Sequence, residues 1–484
     1  MNGCAQHAVI SGIETEAIYK MNTRGADPKL TTDPEGKTIR SLMLPMLAGM
    51  TAMVCYNITD TYFIGQLGTL ELAAISFTFP VVIFIGAITV GFSHGTSSVC
   101  ARLFGANKLN DVGRVTLHAI LLGVVTGLVL LLLGLATIES LFRLLGADDT
   151  TLPIIDRYMN IYYFSGVFLV ITLITNPVLR ASGDAKTPAI IMAVAAASNI
   201  VLDPILIFGL LGAPRLGVEG AAIATVLANI GTMLASLYVI YFRDHLLTLG
   251  PLSLHLLLNS WRRILHVGLP SMAATAITPI TTAFITYQVA QFGQEAVAGY
   301  GVASRVEGLG LLAFMALSAG VMPFIGQNYG ARRYDRLENG FRWCNRFSLI
   351  YGSIAAGLLA ISCTLIAGWF TDNEIAITTA ELHLKIVPVS YLALGIAMTA
   401  TNSFNAIGKP LPGMFISMMR TILVYAPLAF LLARLFGLVG IFVAASLANV
   451  TAGAIGYLWF RQVLGQFHRS EAPVSRRNTA PSPR

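Results

Sequence analysis

Long apolar runs alternate with short polar connections along almost the whole chain. Runs of more than twenty residues with scarcely a charge in them fall at about 41–65, 71–101, 115–142, 158–181, 188–211 and 217–242. A second set falls at about 264–290, 295–325, 341–370, 383–405, 412–436 and 438–460. A helix rising about 1.5 Å per residue crosses the hydrocarbon of a bilayer in about 20 residues. The pattern therefore predicts an all-α polytopic membrane protein with twelve transmembrane helices in two successive bundles of six. The bundles occupy 40–245 and 264–460, joined by a cytoplasmic linker at 246–263. Residues 1–39 read as a polar tail, and 461–484 as a basic, Pro- and Ser-rich tail expected to be disordered. No apolar core of signal-peptide length precedes the first span, so that span itself is expected to direct insertion.

Composition narrows the class further. Of 484 residues, 55% are hydrophobic and 11% charged, against about 25% charged in a soluble domain. A soluble enzyme has no place for so many uncharged runs. Lysines and arginines gather in the N-terminal tail (Lys37, Arg40) and in alternate connections, among them Arg102 and Lys108, Arg180 and Lys186, Arg262 and Arg263, and Arg332 and Arg333. Positive residues stay inside, which predicts a multi-pass protein of the inner (plasma) membrane with both termini cytoplasmic. The net charge of +7 then reflects topology and contact with anionic lipid, and no basic cluster argues for nucleic acid. Five cysteines lack C-x-x-C spacing and eight histidines lack metal-ligand spacing. There is no P-loop, G-x-S-x-G or H-E-x-x-H, so neither ATP hydrolysis nor other enzymatic chemistry is expected.

The two sets of spans are copies. A shift of 225 residues carries Pro45 onto Pro270, Gln66-Leu67-Gly68 onto Gln291-Phe292-Gly293, Gly95 onto Gly320, and Gly183 onto Gly408. After a change in loop length, Gly217-x-x-Gly220 meets Gly437-x-x-Gly440, and Leu227-Ala228-Asn229 meets Leu447-Ala448-Asn449. Six spans per copy is an even number, so both copies cross in the same sense and are related by an axis along the membrane normal. Two such bundles can rock about a central cleft, which is the geometry of alternating access. The copies differ at two acids: Asp60 maps onto Ile285 and Asp203 onto Ala426. A structural role would be needed in both halves, whereas a coupling role need occur once.

Those acids carry the candidate chemistry. A carboxylate at the centre of a span costs about 2.5–3.5 kcal/mol unless it faces a protein cavity. Tyr56 and Asp60 lie one turn apart on the first span, Asn199 and Asp203 one turn apart on the fifth, and Thr225 early in the sixth. Together they form a hard-oxygen set suited to a proton or Na⁺. Pro45 removes a backbone donor early in the first span and marks a bend.

At these residues the chain resembles the multidrug and toxic compound extrusion (MATE) family, in its DinF-like branch. The resemblance is carried by Pro45, Tyr56-x-x-x-Asp60-x-x-Phe63-Ile64-Gly65, Arg180-Ala-Ser-Gly-Asp-Ala-Lys-Thr-Pro188, Asn199-x-x-x-Asp203-Pro204, Gly217–Thr225 and Gly408-Lys-Pro410. It covers roughly 38–460. It implies two six-helix lobes in a V and export of organic compounds against an inward H⁺ or Na⁺ gradient. It also implies that Asp60, Asn199, Asp203 and Thr225 bind the coupling ion, with no other cofactor. A monomer exporting amphipathic, cationic or aromatic compounds is expected; a lipid-linked precursor flippase is the alternative within the superfamily, and an intramembrane enzyme a remote one. Candidate cavity-lining residues are Asn176, Met50, Met53, Arg420 and Glu307. Met43, Met46, Met50 and Met53 form a stripe suited to packing or to a pliable cavity, and Arg305 and Glu307 either neutralise each other or face the cleft.

Overall fold

In the computed structural model, which describes residues 29–248, 250 and 253–471, every regular element is helical. The first six runs become α1 (Glu35–Gly65), α2 (Thr69–Gly105), α3 (Leu109–Leu144), α4 (Leu152–Ser182), α5 (Lys186–Phe208) and α6 (Val218–Arg243). The second set begins with α7 (Leu254–Ala290), α8 (Gln294–Gly330), α9 (Tyr334–Gly368) and α10 (Glu374–Ala406). The last apolar stretch, Pro410–Arg469, is broken at Gly437 (φ 61°, ψ −141°) into α11 (410–436) and α12 (438–471). The result is twelve spanning helices in two six-helix lobes.

The repeat is written in the backbone. Gly217 opens α6 at φ 56°, ψ −130°, almost the geometry of Gly437, in a region that only glycine adopts readily. Just after each, Gly220 and Gly440 press on the carbonyls of Leu206 and Leu432, where a Cβ would stand only 2.5 and 2.0 Å away. Asn107 and Arg332, one repeat apart, share a left-handed φ of 56°. Each lobe thus closes its last hairpin by the same device.

Helix ends depart from the apolar runs where tertiary contacts extend them. Residues 254–263, read as linker, are the opening turns of α7, because Trp261 Nε1 donates to the His118 carbonyl at 2.8 Å and Ser260 Oγ lies 2.9 Å from His118 Nδ1. Residues 461–471, read as disordered, continue α12, where Phe467 stacks on Tyr334 with ring centroids 5.1 Å apart. At the other terminus, a turn at Lys29–Thr32 precedes α1, and Asn328 Nδ2 donates to the buried Leu30 carbonyl at 3.1 Å. The remainder of the two predicted tails, 1–28 and 472–484, lies outside the described residues.

The lobes join at the end of the bundle that carries both described chain ends, here called the tail end. Glycines let backbones meet there: a Cβ on Gly95 would lie 2.3 Å from the Ile264 carbonyl, and one on Gly91 2.7 Å from that of Gly268. Gly105 faces Gln327 and Gly330 faces Arg102 at similar range. Ser98 Oγ donates to the Asn405 carbonyl at 2.5 Å, and Gln327 Nε2 to the Ala181 carbonyl at 2.6 Å. Toward the opposite end, α1 exposes Ile58 and Tyr62 and α7 exposes Ile280 and Tyr287. The lobes form a V that is closed at the tail end.

Candidate coupling-ion site

The first-lobe acids meet in a cavity of about 220 Å³ among α1, α2, α4 and α6. Helical spacing on α1 sets Tyr56 and Asp60 on one face, and both line the cavity together with Met53 and Thr225. The Thr225 hydroxyl donates to the Ala221 carbonyl at 3.1 Å and lies 3.5 Å from the Tyr56 hydroxyl. On α5, Asp203 is fully buried. With the Asn199 amide oriented to donate, its nitrogen is 2.8 Å from both Asp203 carboxylate oxygens. Asp203 and Asp60 are within Coulombic reach of each other. The five predicted coupling residues therefore form one group, Asp60 at the cavity and Asp203 behind it.

Sequence reasoning missed part of this wall. Tyr158 and Tyr162 line the cavity and stack with centroids 5.6 Å apart and planes at 16°. Asn229 lines it as well. Its match to Asn449 drew notice as a repeat marker and not as a polar group inside a span. At the corresponding place in the second lobe, Ile285, the repeat mate of Asp60, packs against Tyr425, Ala429 and Ala444.

Other candidate residues go elsewhere. Asn176 is buried and its Oδ1 accepts from Ser236 Oγ at 3.3 Å, fastening α4 to α6. Met43 and Met46 are buried in the cluster where the lobes join, and Met50 packs against it. Glu307 does not pair with Arg305, which is exposed; it lies 3.1 Å from His383 Nε2 on α10. Arg420 Nη1 is 3.4 Å from Asn449 Oδ1, whose amide nitrogen donates to Ser390 Oγ at 2.9 Å. These groups make a polar knot inside the second lobe, and His383, lacking any sequence partner, gave no advance signal of it.

A family profile described as MatE matches residues 45–205 and 270–431, one stretch in each lobe. The chain belongs to the MATE family. Among curated MATE relatives, a FAD transporter of Shewanella oneidensis is 34% identical, covering 88% of this chain and 95% of that protein. The multidrug export protein MepA of Staphylococcus aureus is 28% identical over 88% of this chain and 94% of its own. The Vibrio cholerae MATE transporter VcmN, solved in a bent form, matches with a TM-score of 0.84 at 30% identity, covering 90% of this chain and 98% of that one. This MATE chain is accordingly a multi-pass membrane transporter and not an enzyme.

Proposed function

We propose that this protein is a cation-coupled antiporter that exports amphipathic organic compounds by alternating access, as a monomer in the inner membrane with both termini cytoplasmic. The observation that carries this reading is the single cavity that gathers Tyr56, Asp60 and Thr225 in front of Asp203 and Asn199. Two carboxylates in a dry lobe repel each other unless a proton or Na⁺ stands between them. An incoming ion neutralises the pair, and the substrate-releasing state follows. The DinF-like assignment accords with acids that the second lobe does not repeat.

Pro45 leaves the Ser41 carbonyl without its helical donor, so α1 can bend above the turn that bears Asp60. Ion binding and bending are thereby placed on one helix. A switch from 1:99 to 99:1 needs about 5.5 kcal/mol of differential binding. One proton whose affinity differs a hundredfold between states supplies about 2.7 kcal/mol, so Asp203 and the substrate must contribute the rest. The tail-closed V suits the state that releases cargo outward.

The cargo has two readings. Likeness to MepA, a multidrug export protein, favours a range of drugs, while likeness to the FAD transporter favours FAD, a planar aromatic dinucleotide. Proteoliposomes with imposed H⁺ or Na⁺ gradients test the coupling and the cargo together. Efflux of a cationic dye or of FAD should follow one gradient, and Asp203→Asn or Asp60→Asn should abolish it while the protein stays folded. Normal gradient-driven efflux by Asp203→Asn sinks the coupling assignment.

A further inference from the structure

A second cavity, of about 230 Å³, lies at the tail end where the lobes meet. Its walls are Arg102 from the end of α2, Asn259, Arg262, Arg263 and His266 from the opening of α7, and Gly408 from the α10–α11 turn. No carboxylate lines it. Among the described residues, none of its three arginines is in an ion pair. Arg102 and Arg263 are within Coulombic reach of each other. Like charges gathered in this way call for an anion.

The cradle is built for the guanidinium that carries the charge. Arg102 Nε donates to the Ser98 carbonyl at 3.0 Å, which aims its outer nitrogens across the seam. They lie over Gly408, in the other lobe, where a Cβ would stand 2.5 Å from Nη1. Gly408 also holds a left-handed φ of 78°, so any other residue there would strain the turn and push the guanidinium aside.

The repeat supplies a comparison inside the molecule. The mate of Arg102 is Gln327, and it makes the mirror contact, donating to Ala181 beside the Gly183 turn. A neutral amide therefore suffices to join the lobes at one junction. At the other, the same position carries a guanidinium with two further arginines beside it. The mates of Arg262, Arg263 and His266 are Lys37, Thr38 and Ser41, and Lys37 already has an acidic partner in Asp33. At these repeat-matched positions the extra charge falls on the Arg102 junction, as it would at a ligand site.

We propose that this cavity binds a phosphate group, held by Arg102, Arg262 and Arg263, which bridges the lobes and stabilises the tail-closed V. Guanidinium is the side chain best matched to phosphate, through paired N–H donors. The phosphate belongs either to the headgroup of an anionic phospholipid or to a soluble phosphate ester. The proposal is independent of which ion occupies the Asp60 cavity.

The test uses the full chain, purified in neutral detergent and titrated with phosphatidylglycerol, with phosphatidylcholine, and with inorganic pyrophosphate. Retained ligand is read by native mass spectrometry, and the unfolding temperature is followed alongside. Phosphatidylglycerol but not phosphatidylcholine should bind and raise the unfolding temperature, and Arg102→Gln/Arg263→Gln should weaken binding about tenfold or more. Lys108→Gln, which removes one charge from an exposed turn, should leave binding unchanged. Should Arg102→Gln fail to fold, Arg262→Gln/Arg263→Gln, altering two exposed residues, takes its place. Protection by pyrophosphate alone assigns the phosphate to a soluble ester. Binding of neither ligand, or equal binding by the arginine variants, overturns the proposal.

Discussion

Asp184, in the turn before α5, fixes from outside the bilayer the helix that bears Asp203. Its carboxylate accepts the Thr187 amide at 2.9 Å, the Thr187 hydroxyl at 2.6 Å and Arg243 Nη2 at 2.6 Å. Partial burial pushes this carboxyl up, but the bonds from Thr187 and Arg243 outweigh that and hold it below the ordinary carboxylate range. A depressed folded value stabilises the protein above the unfolded value, near 4, and the benefit fades as pH falls through the folded one. Asp184→Asn should therefore cost about 1–2 kcal/mol at pH 7, and the gap in unfolding temperature from the parent should close as the pH drops below about 4. At this scale the site was partly legible. Tyr56, Asp60, Asn199 and Asp203 stood out because polar groups one turn apart inside an apolar span are costly and rare. Tyr158 and Tyr162 share that spacing, but an aromatic pair on a spanning helix is equally at home in packing. His383 announced nothing, since its partner Glu307 lies on another helix.

Among the helices, α2 makes the most extensive contact between the lobes, with α1 on α8 beside it. It meets α7 through Gly91 and Gly95, and α8 through Gly105. Gly95→Ala places a methyl against the Ile264 carbonyl, and the backbones must part by a few tenths of an ångström or more, at about 1–3 kcal/mol. The tail-closed state should lose population. A spin-label pair at Lys186 and Gln462, exposed positions on the two lobes, should report a longer distance in Gly95→Ala than in the parent. An unchanged distance would mean that the seam yields without opening. Span positions and the break at Gly437 could be read from apolar runs and repeat-matched glycines. The start of α7 could not, because the pairing of Trp261 and Ser260 with His118 is a contact between residues far apart in sequence.

For the whole molecule, charge and closure fall at the same end. Lys108, Lys186, Arg262 and Arg333 all sit in turns or helix starts at the tail end, which the positive-inside rule assigns to the cytoplasm. Single cysteines at Lys108 or Arg333, in a background with all five native cysteines replaced by serine, should resist an impermeant maleimide added to intact cells and react in everted vesicles. Labelling from outside would reverse the assigned orientation.

The two mirrored junctions, Arg102 over Gly408 and Gln327 on Ala181, lie on either side of one seam. A rigid lobe cannot swing away from one of them while the other holds, so the seam opens as a unit. Hydrogen bonds and packed backbone surfaces on both sides are lost together, before any contact at the far end replaces them. On the alternating-access reading, opening this seam should carry a large activation enthalpy, and turnover should fall with cooling far more steeply than cargo affinity does.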